Sequence, residues 1–261
     1  MATIEAPPPA VDSAYQWPTG RPLLTAEWRN LVMLNYEVDP AAVEPFVPRG
    51  VELDFEDGRT YVSLVGFQFL RTRFFGLAVP LHTNFVEVNL RFYIRRRAAE
   101  GWRRGVVFIR ELAPRRAVAI VANLLYGERY LTVPMSHAVT FGANPDDPPA
   151  HVEYGWRYRG APYLISLETA GPSQSLDPGS HPEFIAEHYW GYSSLSRGRG
   201  KEYQVAHPAW RISPAASTQV EGDLAPLYGE AFAECLQEKP VSAFWVDGSP
   251  VRVYPGRLIS R

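Results

Sequence analysis

Residues 85–94, Phe-Val-Glu-Val-Asn-Leu-Arg-Phe-Tyr-Ile, alternate without a break. Val86, Val88, Leu90, Phe92 and Ile94 fall on one side of an extended chain; Glu87, Asn89, Arg91 and Tyr93 fall on the other. Successive side chains of a strand point to opposite faces, so period two assigns a strand with two unlike faces. Two arrangements satisfy it. The apolar face can fill the core while the polar face meets water, the usual antiparallel arrangement. Alternatively, helices or further strands cover the apolar face, and the polar face lines the lumen of a closed sheet. The alternation itself leaves both open.

Strand patterns dominate the surroundings. Residues 61–69 are β-rich and follow the turn Asp57-Gly58, and residues 106–112 pair back onto 85–94 through a turn at Glu100-Gly101. Residues 153–158 and 163–168 flank Arg159-Gly160 as a hairpin. Residues 201–212 read as one later strand, and 242–246 with 251–254 bracket Asp247-Gly248, a strong hairpin signal. Three helices are expected. One runs over 114–126, with Pro114 at its first position and Gly127 as its stop; one opens on the capping pattern Ser180-His-Pro-Glu183 and runs toward Trp190; one covers 227–238. The fold class is α+β, mainly antiparallel β, in a barrel with a few flanking helices. Residues 1–22 are Pro-rich and read as an extended arm. Residues 23–261 read as a single domain, because the loop 144–150 is too short to separate two.

Composition removes whole classes of function. Twenty-six basic against 28 acidic residues leave a net charge of −2, so no basic field points to nucleic acid. No run approaches the ~20 apolar residues of a spanning helix, which argues against a membrane protein. The first twenty residues hold no Lys or Arg and carry Glu5 and Asp12, unlike a secretory signal; a cytoplasmic location is the expectation. The single Cys235 allows no internal disulfide or thiolate cluster. Six histidines without an H-x-H or H-E-x-x-H spacing give no metal signature. Glycine-rich phosphate loops and the serine elbow are also missing, so no cofactor is expected. Of the basic residues only Lys201 and Lys239 are amines.

Several segments together resemble a known family. They are residues 27–40 (EWRNLVMLNYEVDP), Val47-Pro48, residues 51–54 (VELD), residues 61–67 (YVSLVGF), residues 80–91 (PLHTNFVEVNLR), residues 187–192 (EHYWGY) and His207-Pro208. They are similar to a YqjF-like family, domain of unknown function 2071, within the acetoacetate decarboxylase-like superfamily. The resemblance spans roughly residues 25–215. It implies a cone-shaped antiparallel barrel around a ligand cavity, without an established activity. Against the decarboxylase pattern, Arg29 resembles a residue near the substrate carboxylate, and Phe85-Val-Glu87 resembles a Tyr-x-Glu segment. Residues 110–117 (RELAPRRA) occupy the place of an Arg-Glu, a Pro and a pair of lysines. Arg115 and Arg116 replace those lysines. A guanidinium stays protonated and cannot form a Schiff base, so decarboxylation by that route is not expected. Lys201 and Lys239 read as solvated charges.

The candidate chemistry follows. Glu87 is the acid/base candidate. Arg115 and Arg116, in the first turn of a helix, are candidates to hold an anion shared with free amides. They equally suit solvent or a pair with Glu111. Arg29, His82, Asn89 and Arg91 are candidate substrate contacts, with His82 also readable as a loop histidine bonded locally. The expected ligand is a small organic acid, with a homo-oligomer left open. A non-catalytic binding or sensing protein on the same fold is the alternative.

Overall fold

Fifteen strands are found among the described residues, 17–144, 147–195 and 199–259, of a computed structural model. They are β1 (Leu24–Val38), β2 (Glu52–Leu53), β3 (Thr60–Phe74), β4 (Phe85–Ala98), β5 (Gly101–Ala113), β6 (Tyr130–Thr132), β7 (Met135–Thr140) and β8 (His151–Tyr158). Then come β9 (Ala161–Thr169), β10 (Gln174–Ser175), β11 (Trp190–Ser194), β12 (Gly200–Ala206), β13 (Arg211–Glu221), β14 (Ser242–Val253) and β15 (Arg257–Leu258). The α-helices are α1 (Pro40–Val43), α2 (Arg116–Tyr126), α3 (His181–Ala186), α4 (Ala225–Tyr228) and α5 (Glu230–Gln237).

The strands β12-β11-β5-β4-β3-β1-β14 are neighbours in that order, and β14 pairs again with β12 through Val205↔Val253. The sheet therefore closes into a cone-like ring. From β14 it also continues through β13-β9-β8-β7 as a second layer. That layer lies against the outer face of β3, where a Cβ on Gly66 would meet the ring of Tyr154 at 2.5 Å.

This layering decides which face of β4 is where. Val86, Val88, Leu90, Phe92 and Ile94 join Tyr154, Ile165, Phe232 and Leu236 in one core, between ring, second layer and α5. Burying those five side chains contributes about 1.5–3 kcal/mol each. The opposite face of β4 turns inward with the second core, which includes Leu31, Val65, Phe67, Phe85 and Val106.

Two irregularities break strict alternation. In β5, Leu90 pairs with Arg110 but Arg91 pairs with Phe108, so Ile109 is an extra residue. A bulge of this kind shifts the facing of everything beyond it. Val106 and Phe108 face inward before it; after it Glu111, opposite Asn89, does so instead of Arg110. In β1 the register shifts between Arg29 and Val32, at Asn30 with φ 52°. Asn tolerates the left-handed region better than most residues. As a result Trp28 and Leu31, three apart, both reach the interior.

Several sequence expectations are corrected. Asp247-Gly248 is no hairpin turn: β14 runs through it. Gly248, at φ 92°, bends the strand so closely over β1 that a Cβ would sit 2.0 Å from the Trp28 carbonyl oxygen. The expected strand over 201–212 is two strands, parted at His207-Pro208, where proline removes a ladder donor. The third helix breaks at Gly229 into α4 and α5. The second, α3, is capped by Ser180 as expected but stops at Ala186, and Trp190 already belongs to β11. The first helix begins at Arg116, with Arg115 as its N-cap and Gly127 closing it at φ 72°. The side chains of Val118, Val121, Leu124 and Leu125, and residues 1–16 of the expected arm, lie outside the described set.

Candidate functional site

The inward face encloses a cavity of about 120 Å³. Glu87, Asn89 and Arg91 stand in a row along β4 as alternate residues of one strand must. Glu111 joins them by way of the β5 bulge. The helix α2 contributes Ala122 and Tyr126 from its C-terminal half, and the left-handed Gly127 turns the chain so that Glu128 and Tyr130 enter next. His188 arrives between α3 and β11, Trp190 at the start of β11, and Tyr203 and His207 from β12 and its end. The rest of the wall is largely aromatic and aliphatic, with Trp28, Phe67, Phe69, Phe85 and Phe108 prominent.

Three carboxyl groups share this space. The Tyr130 hydroxyl donates to Glu87 Oε2 at 2.5 Å, Asn89 Nδ2 donates to Glu87 Oε1 at 3.0 Å, and the Tyr203 hydroxyl donates to Glu128 Oε1 at 2.6 Å. Burial pushes Glu87 up to about 7 despite those two donors, and Glu128 up to about 8. Glu111 is raised well above the usual carboxyl range by burial, then by the charges of Glu128 and Glu87. Desolvation disfavours the charged form of each acid, and each ionisation opposes the next. The histidines move the opposite way. Burial, then Arg104 and Arg91, lowers His188, and burial lowers His207 to about 4, so both are neutral near neutral pH. His207 stacks on Trp210 with centroids 4.0 Å apart.

Arg91 is the exception among these neutral groups. Its side chain is buried, one terminal nitrogen donates to the Ile185 carbonyl at 3.1 Å, and its Cζ lies 5.7 Å from the Tyr93 ring centroid. Its Nε has no partner, and among the described residues no carboxylate lies within ion-pair distance of it. Asn89 Oδ1, Glu111 Oε2 and Trp28 Nε1, all on cavity-lining residues, are also buried without partners. Among the described residues no three His, Cys, Asp or Glu are placed to hold a metal ion.

The other candidates stand elsewhere. Arg29 pairs with Glu27 at 2.9 Å and Asp247 at 3.1 Å, because period two sends it away from the cavity that Trp28 enters. His82 sits in the β3–β4 loop, its Nδ1 2.8 Å from the Pro80 carbonyl. Arg115 is half-buried with Nε unpaired, and Arg116 is exposed. Neither lines the cavity, because α2 approaches it with its other end. Lys201 is partly buried on β12 rather than fully solvated, its Nζ 5.3 Å from the Tyr126 ring; burial lowers its pKa against the pull of Glu128. No lysine lines the cavity among the described residues.

With this geometry in hand, comparison with known proteins places the chain. A family profile, described as an uncharacterized conserved protein and designated DUF2071, matches residues 25–250. The chain belongs to this family. No curated protein matches it in sequence. Solved structures do match in fold. The enduracididine biosynthesis enzyme MppR, complexed with pyruvate, superposes with a TM-score of 0.62 at 16% identity, over 95% of this chain and 93% of that one. An acetoacetate decarboxylase from Legionella pneumophila gives 0.64 at 14% identity, over 97% and 92%. An acetoacetate decarboxylase-like enzyme from Sphingomonas wittichii gives 0.62 at 15%, over 96% and 99%. The DUF2071 chain thus has the acetoacetate decarboxylase-like fold.

Proposed function

We propose that the cavity binds a small organic acid whose carboxylate pairs with Arg91, and that Glu87 exchanges a proton with the bound molecule. One observation carries this reading: Arg91 is a buried cation facing the cavity without a counter-ion from the described chain. A buried charge left unpaired costs several kcal/mol, which a ligand carboxylate offsets. Size limits the ligand. A ~150 Å³ cavity accommodates benzene, so about 120 Å³ suits about five or six non-hydrogen atoms, the scale of a three-carbon keto acid. That a structure of similar fold is complexed with pyruvate agrees with this class.

The three carboxyl groups favour the same ligand while protonated. A neutral carboxylic acid in an apolar site donates a hydrogen bond to a carbonyl or carboxylate; ionised, it repels one. Glu87, poised near neutrality, can take a proton from the carbon beside a carbonyl. The C–H pair forms a C=C bond as the carbonyl π pair moves onto oxygen, giving an enolate, and the Glu87 carboxyl, once exchanged with solvent, returns a proton to that carbon. No lysine and no Schiff base take part.

The test is calorimetry with pyruvate and acetoacetate at about pH 6 and about pH 8.5, on the wild type and Arg91→Gln, with deuterium uptake at the carbon beside the ligand's keto group followed by NMR. The reading expects binding at the lower pH, weakened about tenfold or more on loss of the charged pair and again at the higher pH. Uptake should vanish in Glu87→Gln while binding survives. Binding without uptake in the wild type selects the non-catalytic alternative. Tighter binding at the higher pH, or indifference to Arg91→Gln, removes the organic-acid reading.

A further inference from the structure

Away from the cavity, a row of polar side chains crosses the ring. Ser242 of β14 stands opposite Asn35 of β1, and Asn35 opposite Ser63 of β3. Period two puts Ser242 on the same side as Phe244, which belongs to the inward core. The hydrogen bonds along the row run one way. The Tyr93 hydroxyl lies 2.5 Å from Ser63 Oγ, Ser63 donates to Asn35 Oδ1 at 2.6 Å, and Asn35 Nδ2 donates to Ser242 Oγ at 2.9 Å. Ser242 therefore accepts from Asn35 and keeps its own hydrogen for another acceptor.

That acceptor is His181, the first residue of α3. Phe184 and Ile185 pack α3 onto the inward core, and the His181 ring meets Tyr61 edge-on with centroids 4.8 Å apart. His181 Nε2 lies 2.9 Å from Ser242 Oγ, and its Nδ1 is bonded to Glu56 Oε2. Glu56 is fixed by the turn before β3, where it exchanges both backbone hydrogen bonds with Arg59, at 2.9 and 3.1 Å. A carboxylate can only accept, so Nδ1 carries the ring proton and Nε2 is left to accept from the Ser242 hydroxyl. Side-chain exposures of 26% for His181 and 16% for Glu56 leave the group within reach of solvent. Ser242, His181 and Glu56 do not line the cavity.

We infer that Ser242, His181 and Glu56 form a second, hydrolytic site, with Ser242 as nucleophile toward a carboxylic ester. A hydroxyl, a base and an acid that orients the base, in one hydrogen-bonded line, are what acyl transfer needs, and geometry rather than local motif identifies them. Ser242 Oγ attacks the ester carbonyl carbon as its proton passes to His181 Nε2, and the carbonyl π pair moves onto oxygen. That pair returns as the bond to the leaving oxygen breaks, and the imidazolium protonates this oxygen, releasing an alcohol. Water then attacks the acyl-serine and gives a proton to Nε2; the bond to Oγ breaks, Oγ recovers the proton, and a carboxylic acid leaves. Glu56 touches no reacting atom and is a positioning residue: it holds the tautomer and steadies the imidazolium. An ester rather than an amide is the substrate, because an alkoxide or phenoxide leaves more readily than an amine anion. The inference is independent of the cavity's ligand.

The full chain is assayed with p-nitrophenyl acetate, and separately treated with phenylmethanesulfonyl fluoride and mapped by peptide mass spectrometry. Hydrolysis should exceed the buffer rate, and the sulfonyl label should sit on Ser242 and stop it. Ser242→Ala should fall to the buffer rate with a thermal midpoint close to that of the wild type. Glu56→Gln should lower kcat about a hundredfold or more with KM nearly unchanged, because the amide can turn an N–H toward Nδ1 and hold the ring in the other tautomer. Hydrolysis that survives Ser242→Ala overturns the site, as does a wild-type chain unlabelled at Ser242. If Ser242→Ala fails to fold, the position of the label in the wild type decides. An unchanged kcat in Glu56→Gln overturns the role of the acid.

Discussion

Replacing Glu87 by Gln tests the electrostatics of the cavity without changing its shape. The amide is isosteric and cannot ionise. The Tyr130 hydroxyl can still donate to it, and Asn89 can rotate its amide, since its Oδ1 has no partner to lose. The carboxyl of Glu87 moves from 4.5 to about 7 on folding. At ~1.4 kcal/mol per pH unit, that is about 3 kcal/mol at most. A carboxyl raised on folding makes the folded state bind more protons than the unfolded one. Its stability contribution is therefore complete below the unfolded value and lost as pH climbs through the folded one. Wild-type stability should fall between about pH 4.5 and about pH 8, driven by Glu87, Glu128 and Glu111 together. Glu87→Gln should match the wild type near pH 4.5 and exceed it by up to about 3 kcal/mol near pH 8.5. Urea denaturation across this range, with stability extrapolated to water, measures the difference. Parallel wild-type and variant curves would refute the burial of an ionisable Glu87 in this cavity.

Three further substitutions probe the supports. Tyr130→Phe removes a donor that holds Glu87 down, so the Glu87 titration, followed by carbon-13 NMR of the carboxyl, should move to higher pH. Gly191→Ala would put a Cβ 2.1 Å from the Tyr203 ring and push the Tyr203 hydroxyl off Glu128; a loss of about 1–3 kcal/mol is expected in thermal or urea unfolding. Asn30→Val forces a β-branched residue to φ 52° and should cost about 1–2 kcal/mol, with Asn30→Gly far milder.

What the sequence made legible was whatever repeats. The alternation in 85–94 announced β4 and put Glu87, Asn89 and Arg91 on one face. Deciding that this face looks into a cavity needed the second sheet layer and α5, which local pattern does not report. The bulge at Ile109 has no periodic signature, so Glu111 read as a partner for Arg115 rather than as part of the wall. Glu128 and Tyr130 depend on a left-handed glycine after a helix whose exit direction only packing sets. Asp247-Gly248 carries strong turn chemistry, yet the ring demands a bend there and the strand continues. Arg29 drew attention through resemblance, and its own neighbours Glu27 and Asp247 hold it elsewhere.

The extra residue in β5 gives this scaffold an economical route to new specificity. Drawing Ile109 into the ladder would restore strict pleating and send Arg110 to the lumen in place of Glu111. That one-residue slip, with every side chain retained, would invert the sign of the charge offered to a guest. Lineages built on this architecture can therefore diverge in ligand preference through the gain or loss of a bulge, which a comparison restricted to substitutions would overlook.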